Sequence, residues 1–242
     1  MKKMACVMIT VMSIALSAGS LPASANLIVN GGFESPTVPP GSFNNNFAVG
    51  TAGLTGWSVV GPGGRSVSII SGSHIALGIP VPADTGVQWL DLTGPGSNNP
   101  EGVSQTVITT IGQAYELSYS IGNLWHPSGV FGVTSTVNVL VNGLLAFSDT
   151  NSTITPTTIN WMAISHTFTA TTPTTTLTFL NGDPFGENGN GDGNNGLDSI
   201  VLTAVSEPPS SMIFLIGFLG SLLLLRTHNR RGWFGPTGMM WR

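Results

Sequence analysis

An all-β fold follows from three features of the 242-residue chain. Charged residues make up only 7% of it, whereas soluble helices are normally surfaced with Glu, Lys and Arg. Its 32 glycines and 16 prolines punctuate the sequence at short intervals. Between those turn residues lie short runs in which apolar and polar side chains alternate, the period of a strand with one dry and one wet face. No helical period is long enough for a crossover, so the strands belong in a β-sandwich.

The first 25 residues stand apart. Lys2 and Lys3 precede an apolar run from Met4 to Leu16, and Ala23-Ser24-Ala25 is an A-x-A cleavage site, so residues 1–25 read as a signal peptide and the mature chain begins at Asn26. The only cysteine, Cys6, falls in that leader, which leaves the exported part without a disulfide or a thiol nucleophile.

Residues 26–205 form the next unit, one β-sandwich domain large enough to bury a sizeable core. It holds a single base, Arg65, against ten carboxylates, a formal charge of −9. Phosphate binding needs clustered Lys and Arg, so nucleic acid is excluded as a partner. A bare polyanionic polysaccharide is disfavoured unless a divalent cation bridges.

Within this unit Leu27 to Val29 reads as a short strand, and Ser35 to Gly56 as a long loop rich in Pro, Gly and Asn. Trp57 to Val60, Ser66 to Ile70, Val87 to Leu92 and Val103 to Thr109 each suit a strand. In Ala114 to Ile121, Tyr115, Leu117, Tyr119 and Ile121 share the core face. Val137, Val139 and Val141 alternate likewise before Asn142-Gly143, a strong hairpin signal, and Leu144 to Ser148 returns. Met162, Ile164 and Phe168 share one face, with His166 in the same parity as a hydrogen-bonded core or edge residue. Leu177 and Phe179 share another, and Leu197 to Val205 is the last of about ten strands.

The chain then changes character. Glu207-Pro208-Pro209 breaks the domain off, an uncharged apolar run follows from Met212 to Leu225, and Arg226, Arg230 and Arg231 close it. As a helix that run spans about 21 Å at about 1.5 Å per residue, short of a hydrocarbon core of about 30 Å. It crosses a thin bilayer if Arg226 snorkels. Arginines after the run and none just before it put the C-terminus in the cytoplasm and the domain outside. Residues 206–231 are thus a short transmembrane anchor, and residues 232–242 a tail without a reading of its own.

Glu207 and Pro208, the apolar helix and the cluster of Arg226, Arg230 and Arg231 resemble the PEP-CTERM sorting signal of Gram-negative bacteria that make extracellular polysaccharide. That resemblance implies recognition by an exosortase-like sorting protease that removes the anchor. Ser206 departs from it, standing where the motif's first proline would be, as do the residues after the arginines. The alternative is a plain single-pass anchor.

The succession NLIVNGGFE, TGWSVV, the Gly86-x-Gln88-x-x-Asp91-Leu92 strand, VSQTV, YELSYSIGN, Val141-Asn142-Gly143, LTF and LDSIVL also has a likeness. It resembles the galactose-binding-like jelly roll of DUF642-type proteins and related carbohydrate-binding modules. The implication is a jelly-roll β-sandwich that often binds glycans and often holds a structural calcium ion. In this chain the resemblance places that ion between Glu34 and Asp198. The alternative is that both carboxylates are solvated or accept backbone hydrogen bonds. The loop from Asn181 to Asn195 imitates an EF-hand from Asn188 but ends in Ser199 where Glu is needed, so as an EF-hand it fails. It is a flexible calcium-binding loop or a glycine-rich connection.

Sugar recognition needs an aromatic platform beside hydrogen-bonding groups, because a pyranose has an apolar CH face edged by hydroxyls. Trp125 with His126 and Asn123 in the GNLWHPSG loop is the candidate, against a role for Trp125 as a cap on the core edge. Trp57 and Trp89 fall in strand patterns and read as core. The unit's histidines, His74, His126 and His166, form no H-x-x-x-H pair, and there is no G-x-S-x-G elbow. The expectation is an exported, non-catalytic protein of the cell envelope or extracellular polysaccharide matrix that binds carbohydrate. A structural matrix protein or adhesin is the first alternative, and a glycoside hydrolase the second.

Overall fold

The computed structural model describes residues 25–62, 66–94, 100–183 and 193–206. Residues 1–24 and 207–242, on which the expected signal peptide, anchor and tail fall, lie outside the described residues, and Glu207, Pro208, Arg226, Arg230 and Arg231 with them.

Among the described residues the chain is all-β, without a helix. The first strands are β1 (Phe43–Ala48), β2 (Ser58–Val60), β3 (Ser66–Ser71), β4 (Ile75–Ala76), β5 (Ile79–Pro80), β6 (Gln88–Asp91) and β7 (Gly102–Ile108). After them come β8 (Ala114–Asn123), β9 (Ser135–Val141), β10 (Leu144–Asn151), β11 (Asn160–Thr169), β12 (Thr174–Asn181) and β13 (Gly196–Ala204). A six-stranded sheet runs β1-β3-β6-β13-β8-β11, a five-stranded sheet runs β10-β9-β12-β7-β2, and β4 pairs with β5 as a small hairpin.

The inward-facing residues of the two large sheets merge into one core. Tyr115, Leu117, Tyr119 and Ile121 of β8 meet Val137 and Val139 of β9 and Leu177 and Phe179 of β12, as their spacing predicts. Each such side chain, fully buried, stabilises the fold by roughly 2 kcal/mol relative to exposure. Trp57 lies here too, against Phe33 at 5.5 Å and Phe179 at 6.0 Å between ring centroids. Asn142 and Gly143, with φ of 52° and 81°, make the tight turn between β9 and β10 that their identity predicts.

Three local expectations change. Leu27 to Val29 is not a strand, because a side chain occupies the place of a partner strand. Gln105 Oε1 accepts the Val29 N–H at 2.8 Å, and its Nε2 donates to the carbonyls of Val29 and Gly56. Phe43–Ala48, inside the expected loop, is an edge strand paired with β3, since the β3 ladder supplies the order that three consecutive asparagines lack. The β4–β5 hairpin was hidden by its brevity. Its turn residues Leu77 and Gly78 both have positive φ.

That hairpin matters to the site. It folds over the outer face of the six-stranded sheet, where Ile70, Ile79, Val81, Trp89, Leu124 and Ile159 form a second apolar cluster. Strands β3 and β6 are therefore buried on both faces.

Candidate functional site: a pocket over the six-stranded sheet

Antiparallel pairing of β3 with β6 sets Ser68 opposite Asp91 and Ile70 opposite Trp89. Because side chains alternate along a strand, Val67, Ile69, Leu90 and Leu92 enter the main core while these four face the other way. Ile70 and Trp89 feed the second cluster, and Ser68 and Asp91 extend the same surface beyond it.

A pocket of about 140 Å³ opens there. Phe43 of β1, His74 and Ala76 beside the hairpin, and Leu124 and Phe131 of the loop after β8 surround it, with Trp89, Ser68, Asp91 and Asn194. The Trp89 indole N–H donates to the Val81 carbonyl at 3.0 Å, and its ring meets Trp161 edge-on at 5.7 Å, so this wall is rigid. His74 Nδ1 lies 2.9 Å from the Gly41 carbonyl and must donate to it, which leaves Nε2 of the neutral ring as an acceptor. Asp91 Oδ1 accepts from the Thr93 N–H and hydroxyl and from the Asn195 N–H. Two buried oxygens differ. Ser68 Oγ and Asn194 Oδ1 have no hydrogen-bond partner among the described residues, although the two side chains are only 1% and 5% exposed.

The loop predicted from sequence forms part of this wall, through other residues. Asn123 is wholly buried, its amide donating to the Val133 and Thr153 carbonyls while Ser135 Oγ donates to it, so it holds the loop in place. His126 Nδ1 accepts the Ser128 N–H, and its ring stands edge-on to Phe131. Trp125 is half-buried and lies outside the lining of the pocket. The structure thus does not bring Trp125, His126 and Asn123 together on one surface. Phe131, six residues after Trp125, and Ser68, a polar residue in the otherwise apolar VSII run, were the signals available in the sequence.

Glu34 and Asp198 both lie close to Gly32. A Cβ placed on Gly32 would lie 3.7 Å from Asp198 Oδ1, 3.8 Å from Glu34 Cγ and 3.9 Å from Thr85 Oγ1, so these side chains converge on one small space. Both carboxylates also accept backbone N–H groups. Glu34 Oε1 takes those of Val87 and Gln88, while Asp198 Oδ2 takes those of Asp84 and Thr85 and Oδ1 takes that of Ser199. Burial pushes the Asp198 carboxyl up to about 7, the nearby Asp84 charge adds to the rise, and the three N–H donors oppose it. Asp198 Oδ1 and Thr85 Oγ1 are the oxygens on this space, and Glu34 reaches it through Cγ. Among the described residues no group of three or more His, Cys, Asp or Glu is placed to hold a metal, so backbone carbonyls or hydroxyls would have to complete the shell.

Other polar residues have structural work. Asp183 Oδ2 accepts the Thr136 N–H, tying the start of the Asn181 to Asn195 loop to β9, while Glu187 and Asp192 lie outside the described residues. His166 Nε2 sits 2.8 Å from Asp149, which also accepts the Tyr119 hydroxyl, and its ring stacks on Phe147 across the open side between β10 and β11. Asn151, which opens an N-x-S/T sequon, is wholly buried with its amide donated to Ile121 and Asn160. A larger depression of about 450 Å³ runs past Pro40, Pro82 and Val87, but its lining has no aromatic side chain.

The description of one family, "Protein of unknown function (DUF642)", matches residues 26–188. No curated protein matches the chain. Among solved structures the chain is similar to the CBM22-1 xylan-binding domain from Paenibacillus barcinonensis Xyn10C, at 15% identity and a TM-score of 0.39, covering 71% of this chain and 99% of that one. It is similar to TmCBM61 in complex with beta-1,4-galactotriose at 16% identity and a TM-score of 0.41, covering 75% of this chain and 100% of that one. For the enzymatically active domain of bacteriophage CBA120 tailspike protein 4 the values are 14% and 0.42, with 74% of this chain covered and only 21% of the tailspike chain.

Proposed function

We propose that this chain, which belongs to the DUF642 family, is an exported, non-catalytic protein that binds carbohydrate in the cell envelope or the extracellular polysaccharide matrix. The pocket over β3 and β6 carries the reading. It combines aromatic walls from Phe43, Trp89 and Phe131 with buried oxygens that lack protein partners among the described residues. Those are the two things a sugar ring asks for, an apolar face to lie against and acceptors for its hydroxyls.

Export rests on the leader of residues 1–25. Surface sorting rests on Glu207, Pro208 and the arginines Arg226, Arg230 and Arg231, with an exosortase-like protease as the processing partner and the membrane as the site of transient anchoring. A calcium ion is assigned to Glu34 and Asp198. Bound there, it would neutralise the buried carboxylate and fix the loop from Asp84 to Gln88.

A second reading has its own support. Ile108, Leu144 and Leu145 are exposed at 82%, 76% and 64%, an apolar display suited to a protein-contacting matrix component or adhesin.

Binding of the purified full-length protein across a glycan array, with calcium and with a chelator, decides between them. Saturable retention on one glycan class is the expected result. Absence of binding by folded protein in both conditions would transfer the role to the structural reading, and release of soluble sugar from a retained glycan would make the protein a hydrolase.

A further inference from the structure

The pocket is specific enough to name its ligand class, on the carbohydrate-binding reading above. We propose that it takes a single neutral sugar residue end-on, the terminus or a branch of a glycan, with Ser68 and Asn194 bonding its hydroxyls.

Size sets the first limit. A volume of about 140 Å³ is close to the roughly 150 Å³ that accommodates one benzene-sized ring, and well below the roughly 300 Å³ at which multi-ring ligands begin. The surround sets the second. Its walls come from separate segments, Phe43 of β1, Ala76 of the hairpin, and Leu124 and Phe131 of the loop after β8.

Polarity sets the third. Asn194 Oδ1 and the Asp91 carboxylate only accept, His74 Nε2 accepts in the neutral ring, and Ser68 Oγ does either. This set matches a ligand rich in O–H donors. The Asp91 carboxylate on the lining sets a like charge against the carboxylate of a uronic acid, which favours a neutral sugar. Native folds seldom leave two buried oxygens unpaired in one place. A sugar hydroxyl can supply the bond that each of them lacks.

The test follows tryptophan fluorescence of the full-length protein, Trp89 being part of the wall, during titration with three probe sets. These are methyl glycosides of neutral hexoses and pentoses, the corresponding uronates, and neutral oligosaccharides of increasing length. At least one neutral glycoside should bind, its uronate about tenfold more weakly, and lengthening the chain should change affinity by less than about threefold. Ser68→Ala and Asn194→Ala should each weaken binding about tenfold. Ser68→Ala should not lower the melting temperature, because it removes an unpaired buried hydroxyl. If Asn194→Ala unfolds, Ala76→Phe, which fills the pocket from its rim, should abolish binding in its place.

Affinity that climbs steadily with chain length, or that survives both Ser68→Ala and Ala76→Phe, overturns the end-on pocket and leaves carbohydrate binding standing. Failure to bind any glycan, in titration and on the array, overturns both.

Discussion

Glu34 and Asp198 grip opposite ends of one loop. Glu34 Oε1 accepts the N–H groups of Val87 and Gln88, and Asp198 Oδ2 accepts those of Asp84 and Thr85. The first carboxylate follows the NGGF turn and the second opens the last strand, so the loop joins the two ends of the domain. Its own contribution then reaches the pocket, because β6 starts at Gln88 and carries Trp89 and Asp91.

The charge on Asp198 makes stability depend on pH in the metal-free protein. Its pKa is raised from 3.8 to about 7, with burial the leading cause, so the folded state keeps a proton that the unfolded state has released over that window. Stability from this group is complete below pH 3.8 and is lost as pH rises through about 7. With a chelator present, wild type should therefore lose up to about 4 kcal/mol across that window relative to Asp198→Asn. Urea titrations of both proteins at a series of pH values measure the difference. A flat difference would mean that the carboxyl is not desolvated, and added calcium should flatten it by taking the proton's place.

Gly86 is the second point of the grip. Its φ is +68°, and a Cβ there would lie 2.0 Å from Glu34 Oε1. Gly86→Ala should cost about 2 kcal/mol, from the left-handed backbone and from displacement of a carboxylate that holds two N–H groups. Chemical denaturation reads the loss directly.

Gln105 ties the N-terminal segment to the turn before β2. Its amide makes three hydrogen bonds, to Val29 N–H, the Val29 carbonyl and the Gly56 carbonyl. Gln105→Ala should destabilise by about 3 kcal/mol. Hydrogen exchange should quicken at Val29 ahead of β8 and β12, which distinguishes local release from general weakening.

Tyr119 should keep its proton at any pH the fold survives. Burial raises its phenol strongly, and donation to Asp149 together with that carboxylate's charge raises it further. The chain has only two tyrosines, so absorbance at alkaline pH should show Tyr119 ionising only together with unfolding. Tyr119→Phe removes the bond and should cost about 1 kcal/mol, whereas Asp149→Ala strands both the hydroxyl and His166 and should cost about 3 kcal/mol.

What could be read from sequence tracks what is local. Alternation in YELSYSI put Tyr115, Leu117, Tyr119 and Ile121 inside, and Asn142-Gly143 announced its turn, because strand period and turn geometry depend on adjacent residues. The FNNNFA strand could not be read, since an edge strand of low intrinsic propensity exists only when β3 is beside it. Nor could the side-chain clamp of Gln105, which substitutes for a strand from 76 residues away.

The candidate site divides along the same line. The sequence by itself determined an all-β unit with little charge, an acidic body with a single base, and two carboxylates at corresponding ends of the chain. Only the tertiary structure decided that the outer face of β3 and β6 is covered. With that cover, Ser68 and Asp91 become the lining of a pocket, and Phe131 is placed at its wall while Trp125 is not. The reason is physical: a side chain's parity along a strand follows from its neighbours, but what lies above that face is set by a hairpin and a loop whose contacts span the whole domain.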